Sequence, residues 1–156
     1  KLNVTKGAFY HYNATKDDLV VACFQRTFDV LWRAIDAAEA AGGDGLEVMH
    51  SLLSAVVQLQ VGPAPLLRTS ALSTVPQEIQ ADLMFRLRQI SIRLGSMLCD
   101  GIADGSVRPV DASITAQILT AGINAASELS WWQPGETPEA GARAFVEAMV
   151  RGVIHA

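Results

Sequence analysis

The chain has 156 residues, half of them apolar and only 18% charged, with a formal net charge of −4. That is one domain's worth of sequence, with apolar surface to spare for a pocket or a subunit interface. No apolar run reaches the roughly 18 residues that span a bilayer, which argues against a membrane partner.

Charge is unevenly placed. All three lysines, Lys1, Lys6 and Lys16, lie in the first 16 residues, and the first acid is Asp17. Those residues carry +3, against nine arginines and 16 acids in the remainder. A basic tip on an acidic body directs the tip at a polyanion. Phe9, Tyr10 and Tyr12 interleave with the cations, and phenol, imidazole and ammonium groups all donate to phosphate oxygens.

From there the pattern is helical, with no alternation long enough for a strand. Thr15 is a good N-cap, with Asp17 and Asp18 behind it. Val20, Phe24, Phe28, Leu31 and Ile35 then make one apolar face, running to about Ala41. Gly42-Gly43-Asp44-Gly45 ends that helix and starts the next, whose face is Leu46, Met49, His50, Leu53, Val56, Val57 and Gln60. Gly62-Pro63-Ala64-Pro65 breaks it, and a short helix is expected at about Leu66–Ser73.

A long helix is expected from Pro76 to about Ala103. One stripe is Ile79, Leu83, Leu87, Ile90, Leu94, Leu98 and Ile102, and a second is Phe85, Ile92, Cys99 and Ala103. Two apolar faces predict a helix enclosed on both sides. Its arginines, Arg86, Arg88 and Arg93, read as a solvated edge. Asp111 caps the next helix, expected to reach about Trp132. Its small residues Ala121, Gly122, Ala125 and Ala126 let a partner helix come close. After a turn at Gln133-Pro134-Gly135-Glu136, Thr137-Pro138-Glu139 opens the last helix, striped by Phe145, Met149 and Val153.

Little points to catalysis. No His, Cys, Asp or Glu cluster has metal-ligand spacing, and no nucleophile–base or paired-carboxylate constellation is present. The chain reads as a non-enzyme without a cofactor. Cys23 and Cys99 sit inside helical patterns, which fits a reducing, cytoplasmic compartment.

The run Val4-Thr5-Lys6-Gly7-Ala8-Phe9-Tyr10-His11-Tyr12, followed by Lys16-Asp17-Asp18-Leu19, resembles the second half of the helix-turn-helix of TetR-family transcriptional regulators. Tyr12-Asn13 stand where that family commonly has His-Phe. The resemblance implies an all-α, TetR-like helical bundle. Residues 1–18 would be the end of a DNA-binding domain, whose earlier helices precede Lys1. Residues 19–156 would be a ligand-binding and dimerisation domain, joined to it by a linking helix at 15–41. It further implies that Thr5, Lys6 and Gly7 face bases, and that Tyr10, His11, Tyr12 and Lys16 hold phosphates.

The last two long helices would pair with their copies in a homodimer, through Ile118, Gly122, Ala125, Leu129, Trp132, Phe145, Met149 and Val153. A small, mostly apolar effector would sit among the body helices, near Phe28, Trp32, Met49, His50, Leu53, Met84, Leu87 and Ile123. The function so implied is a ligand-responsive repressor, released by its effector from a pseudo-palindromic operator DNA. The other reading open to the sequence is a helical small-molecule-binding or interaction module without DNA binding.

Overall fold

The computed structural model describes residues 15–151. Among these residues the regular structure is six α-helices and one 3-10 turn, with no β-strand.

Helix α1 (Lys16–Ala41) starts at a reciprocal cap. Thr15 Oγ1 accepts the Asp18 amide at 3.1 Å, and Asp18 Oδ2 accepts the Thr15 amide at 3.0 Å. Two donors that a helix start leaves open are thereby satisfied. Gly42, at φ +72°, ends α1 in a conformation that a side chain would strain. Helix α2 (Gly45–Val61) opens by the same device. Asp44 Oδ1 accepts the Glu47 amide at 2.9 Å, and Glu47 Oε2 accepts the Asp44 amide at 3.0 Å.

Residues 62–68 have no regular structure, and a 3-10 turn follows at Thr69–Thr74. The short helix expected at about Leu66–Ser73 therefore forms later and as a 3-10 turn. The Ser73 and Thr74 hydroxyls donate to the carbonyls of Ser70 and Ala71, at 2.9 and 2.7 Å. Side chains that bond the backbone this close by favour a tight three-residue turn over an α-helix.

Helix α3 (Gln77–Asp104) buries only one of its two stripes. Leu83, Leu94 and Leu98 are fully covered, whereas Phe85 is 62% exposed and Ile92, Cys99 and Ala103 are exposed with it. The expectation of a helix enclosed on both sides therefore fails within this chain. The periodicity is real, but no element among the described residues covers the second stripe.

Helix α4 (Ala112–Ala126) is capped by Asp111, whose Oδ1 accepts the Ile114 amide at 2.9 Å. It stops short of Trp132. The Ser127 hydroxyl donates to the Asn124 carbonyl at 2.9 Å, and the Glu128 amide bonds Ala125, three residues back, at 3.0 Å. The helix tightens and breaks there, and a single further turn forms α5 (Leu129–Trp132). Helix α6 (Pro138–Arg151) begins at Thr137, whose hydroxyl accepts the Ala140 amide at 3.2 Å.

Helix α2 is the centre of the bundle and packs against α1, α3, α4 and α6. It buries Met49, Leu52, Leu53, Val56, Val57 and Gln60. Leu52, not the expected His50, completes that face, and His50 is exposed. One step beyond Met49 turns the imidazole about 100° away from the packed arc.

The apolar interior is in two parts. The larger joins α2 to α1, α3, α4 and α6. The smaller comprises Phe24, Phe28, Leu72, Val75 and Leu83, between α1, the 3-10 turn and α3. Its Phe24 and Phe28 rings stack with centroids 6.0 Å apart.

Candidate functional site

Of the residues expected to meet DNA, Thr5, Lys6, Gly7, Tyr10, His11 and Tyr12 lie outside the described residues. Lys16 is described. It is the first residue of α1 and is exposed, so its ammonium is free to reach past the helix start.

Helix α1 is tied to the body at several heights. Near its far end Glu39 pairs with Arg93 of α3. The Glu39 hydrogen bond, aided by the charges of Glu39, Asp100 and Asp36, raises the Arg93 pKa above its ordinary value. Lower down, Arg86 of α3 donates to Gln25 at 3.3 Å and to Asp82 at 3.0 Å. Two of the three arginines read as a solvated edge therefore reach α1. Arg26 donates to the carbonyls of Ala64 at 2.9 Å and Pro65 at 3.3 Å. The Thr27 hydroxyl donates to the Cys23 carbonyl at 3.0 Å and accepts the Leu67 amide at 3.1 Å.

Thr27 and Gln60 are buried polar side chains in an otherwise apolar interior. Both are satisfied by the irregular segment, since Gln60 Oε1 accepts the Leu66 amide at 2.7 Å. A threonine beside Phe28, and a glutamine on the apolar face of α2, were the sequence signals for these contacts. Their partner was not visible, because it is backbone.

The eight residues expected around an effector differ in burial. Phe28, Met49 and Leu53 are packed core, Leu87 and Ile123 are half-buried, and Trp32, His50 and Met84 are exposed. An open cleft of about 60 Å³ lies elsewhere, where the end of α2 meets the α4–α5 junction and the start of α6. Val61, Ala126 and Leu129 give it an apolar wall, and Ser127, Ser130 and Thr137 supply hydroxyls. No group of three or more His, Cys, Asp or Glu side chains able to hold a metal ion occurs among the described residues.

The residues expected at a subunit interface fall on α4, α5 and α6. Ile118 is 64% exposed and Trp132 78%, Ala125 is exposed too, and so are Ile114 and Trp131, which were not among the expected residues. Gly122, Leu129, Phe145 and Met149 are half-buried. Val153 lies outside the described residues. Gly122 lets α6 come close, because a Cβ there would stand 2.9 Å from Met149 Cε.

No protein-family model matches the sequence, and no curated protein matches it. Solved structures do. A regulatory protein of the tetR family from Rhodococcus RHA1 matches with a TM-score of 0.72 and 22% identity, over 99% of this chain and 83% of that one. A ketosteroid transcriptional regulator of Mycobacterium tuberculosis matches with a TM-score of 0.77 and 16% identity, over 98% and 80%. The regulator AibR, solved in complex with isovaleryl coenzyme A and operator DNA, matches with a TM-score of 0.73 and 19% identity, over 92% and 80%. In the described residues no helix is long and apolar enough to cross a membrane. The chain has the all-α fold of TetR-family transcriptional regulators.

Proposed function

We propose that the intact protein is a ligand-responsive, DNA-binding transcriptional regulator of the cytoplasm, a repressor released from a pseudo-palindromic operator by a small effector. The observation that carries this reading is the continuity of α1. Its capped first turn follows directly on the basic, aromatic segment, and its middle enters both parts of the apolar interior. A rearrangement of the body then moves whatever α1 carries. In this reading Thr5, Lys6 and Gly7 face bases, and Tyr10, His11, Tyr12 and Lys16 hold phosphates.

Two copies would join through the apolar surface of α4, α5 and α6, presenting two recognition helices to the two halves of the operator. Isolated exposed apolar residues are ordinary on a protein surface. Ile114, Ile118, Trp131 and Trp132 are large apolar residues left exposed on consecutive elements, as residues that a second copy covers would be. The effector would act by binding one arrangement of the body better than the other. One of the structures with this fold was solved with both an acyl thioester and operator DNA, which supports pairing those two partner classes in one protein.

The test is affinity of the intact protein for the DNA flanking its own gene, at several salt concentrations, against unrelated DNA of equal length. A site bound about a thousandfold tighter than unrelated DNA, with a steep salt slope, is the expected result. Equal, weak binding to every sequence tried would leave a ligand-binding module without a DNA role. Sedimentation of Ile118→Glu against the unaltered protein tests the homodimer, which should fall to a monomer that keeps its helix content.

A further inference from the structure

From Pro63 to Thr69 the backbone amides have no helical ladder behind them, so they must be satisfied from elsewhere. Three different helices do this. The Leu66 amide donates to Gln60 of α2 at 2.7 Å, the Leu67 amide to Thr27 of α1 at 3.1 Å, and the Thr69 amide to Asn124 Oδ1 of α4 at 3.2 Å. Arg26 of α1 grips the Ala64 and Pro65 carbonyls, and Arg68 pairs with Glu128 at the α4–α5 junction.

We propose that residues 62–69 are a strap that couples the α4–α5 junction to the middle of α1. The proposal uses the functional reading only to say what α1 would carry. Both ends of the strap are oriented from within their own helices. The Asn124 side-chain amide donates to the Thr120 carbonyl at 2.9 Å, which leaves its oxygen aimed at Thr69. The Thr27 hydroxyl donates to Cys23, which leaves its lone pair for Leu67. The chain around the strap is anchored in both parts of the interior, Leu66 in the larger and Leu72 in the smaller.

If the α4–α5 junction shifts, Asn124 and Glu128 shift with it. Ser127 and Leu129, on either side of Glu128, line the cleft, so filling that cleft moves the input end directly. The strap must then lose its bonds to α4 and Glu128 or follow them. Following drags residues 64–67 against Arg26 and Thr27, which lie in sequence between the stacked Phe24 and Phe28. Following is favoured because an amide that loses its acceptor in a part-buried place costs more than a small backbone shift.

Amide hydrogen exchange on the full chain tests this without DNA or effector, so its outcome is independent of whether an operator is ever found. The double variant Asn124→Ala, Glu128→Ala removes the strap's bonds to the junction and alters no residue of α1. Exchange at residues 23–30 of α1 should accelerate roughly threefold to tenfold, with residues 142–150 of α6 unchanged. Acceleration confined to residues 66–70 would overturn the strap. Should every helix loosen alike, Thr27→Val decides. Coupling is reciprocal, so that variant must accelerate exchange at residues 124–128, and no change there overturns the proposal.

Discussion

Gly45 and Gly101 cross backbone against backbone: a Cβ built on Gly45 would collide with the Cα and N of Gly101. The start of α2 is thereby set directly on the end of α3. Gly45→Ala would force the two helices apart, at a cost of about 1–3 kcal/mol. Gly95, in the middle of α3, offers the contrast, since a Cβ there meets only the Ala112 carbonyl at 3.8 Å. Gly95→Ala should stabilise by about 0.5–1 kcal/mol by removing backbone freedom from the unfolded chain. Chemical denaturation of both variants checks the opposite signs.

The same joint carries a pH dependence. Asp104 Oδ2 accepts the Gly45 amide at 2.7 Å, and its Oδ1 accepts the Ser106 amide at 2.8 Å. Hydrogen bonds from Ser106, with a further one from Gly45, hold the Asp104 carboxyl below its ordinary pKa of 3.8. A depressed carboxylate pKa adds stability that is complete above the unfolded value and is lost as pH falls through the folded one. The melting temperature of Asp104→Asn should therefore lie below that of the unaltered protein at neutral pH. The gap should close as pH drops below 3.8. A gap that is constant or widens in acid would contradict the assignment.

The face of α2 can be checked by a pair of truncations. Leu53 is fully buried, so Leu53→Ala should cost about 2–5 kcal/mol. His50→Ala, on the exposed side, should stay within about 0.5 kcal/mol of the unaltered protein. If the two variants melt alike, the placement of that face is wrong.

At the start of α1, Thr15→Ala removes the acceptor of the Asp18 amide and should cost about 0.5–2 kcal/mol. The first turn should fray, seen as faster amide exchange at residues 16–19. In the intact protein, DNA affinity should fall similarly for all sequences, because the cap orients the tip without reading a base.

Helix boundaries were legible in the sequence where a cap or a breaker is chemically explicit. Thr15, Asp44, Asp111 and Thr137 each cap the helix that the pattern assigns to them. Burial was less legible. Periodicity identifies an apolar stripe, but not which molecule covers it, and Phe85 and Ile92 fit the helical period as well as Leu83 and Leu94 do. His50 and Leu52 differ by two positions and end on different sides of α2, a distinction that needs the neighbouring helices. The strap was the least legible part. Its bonds to Thr27 and Asn124 join residues 40 and 55 apart in sequence, and in both the strap's part is a backbone amide that any residue would supply.

All three tryptophans, Trp32, Trp131 and Trp132, are exposed in the single chain. Indole emission from Trp131 and Trp132 is therefore a poor gauge of folding, since those two rings are already wet in the folded subunit. It is instead a reporter of what covers the end of α5. A blue-shifted spectrum that reddens on dilution, with the circular dichroism unchanged, would register one subunit leaving another while each stays folded.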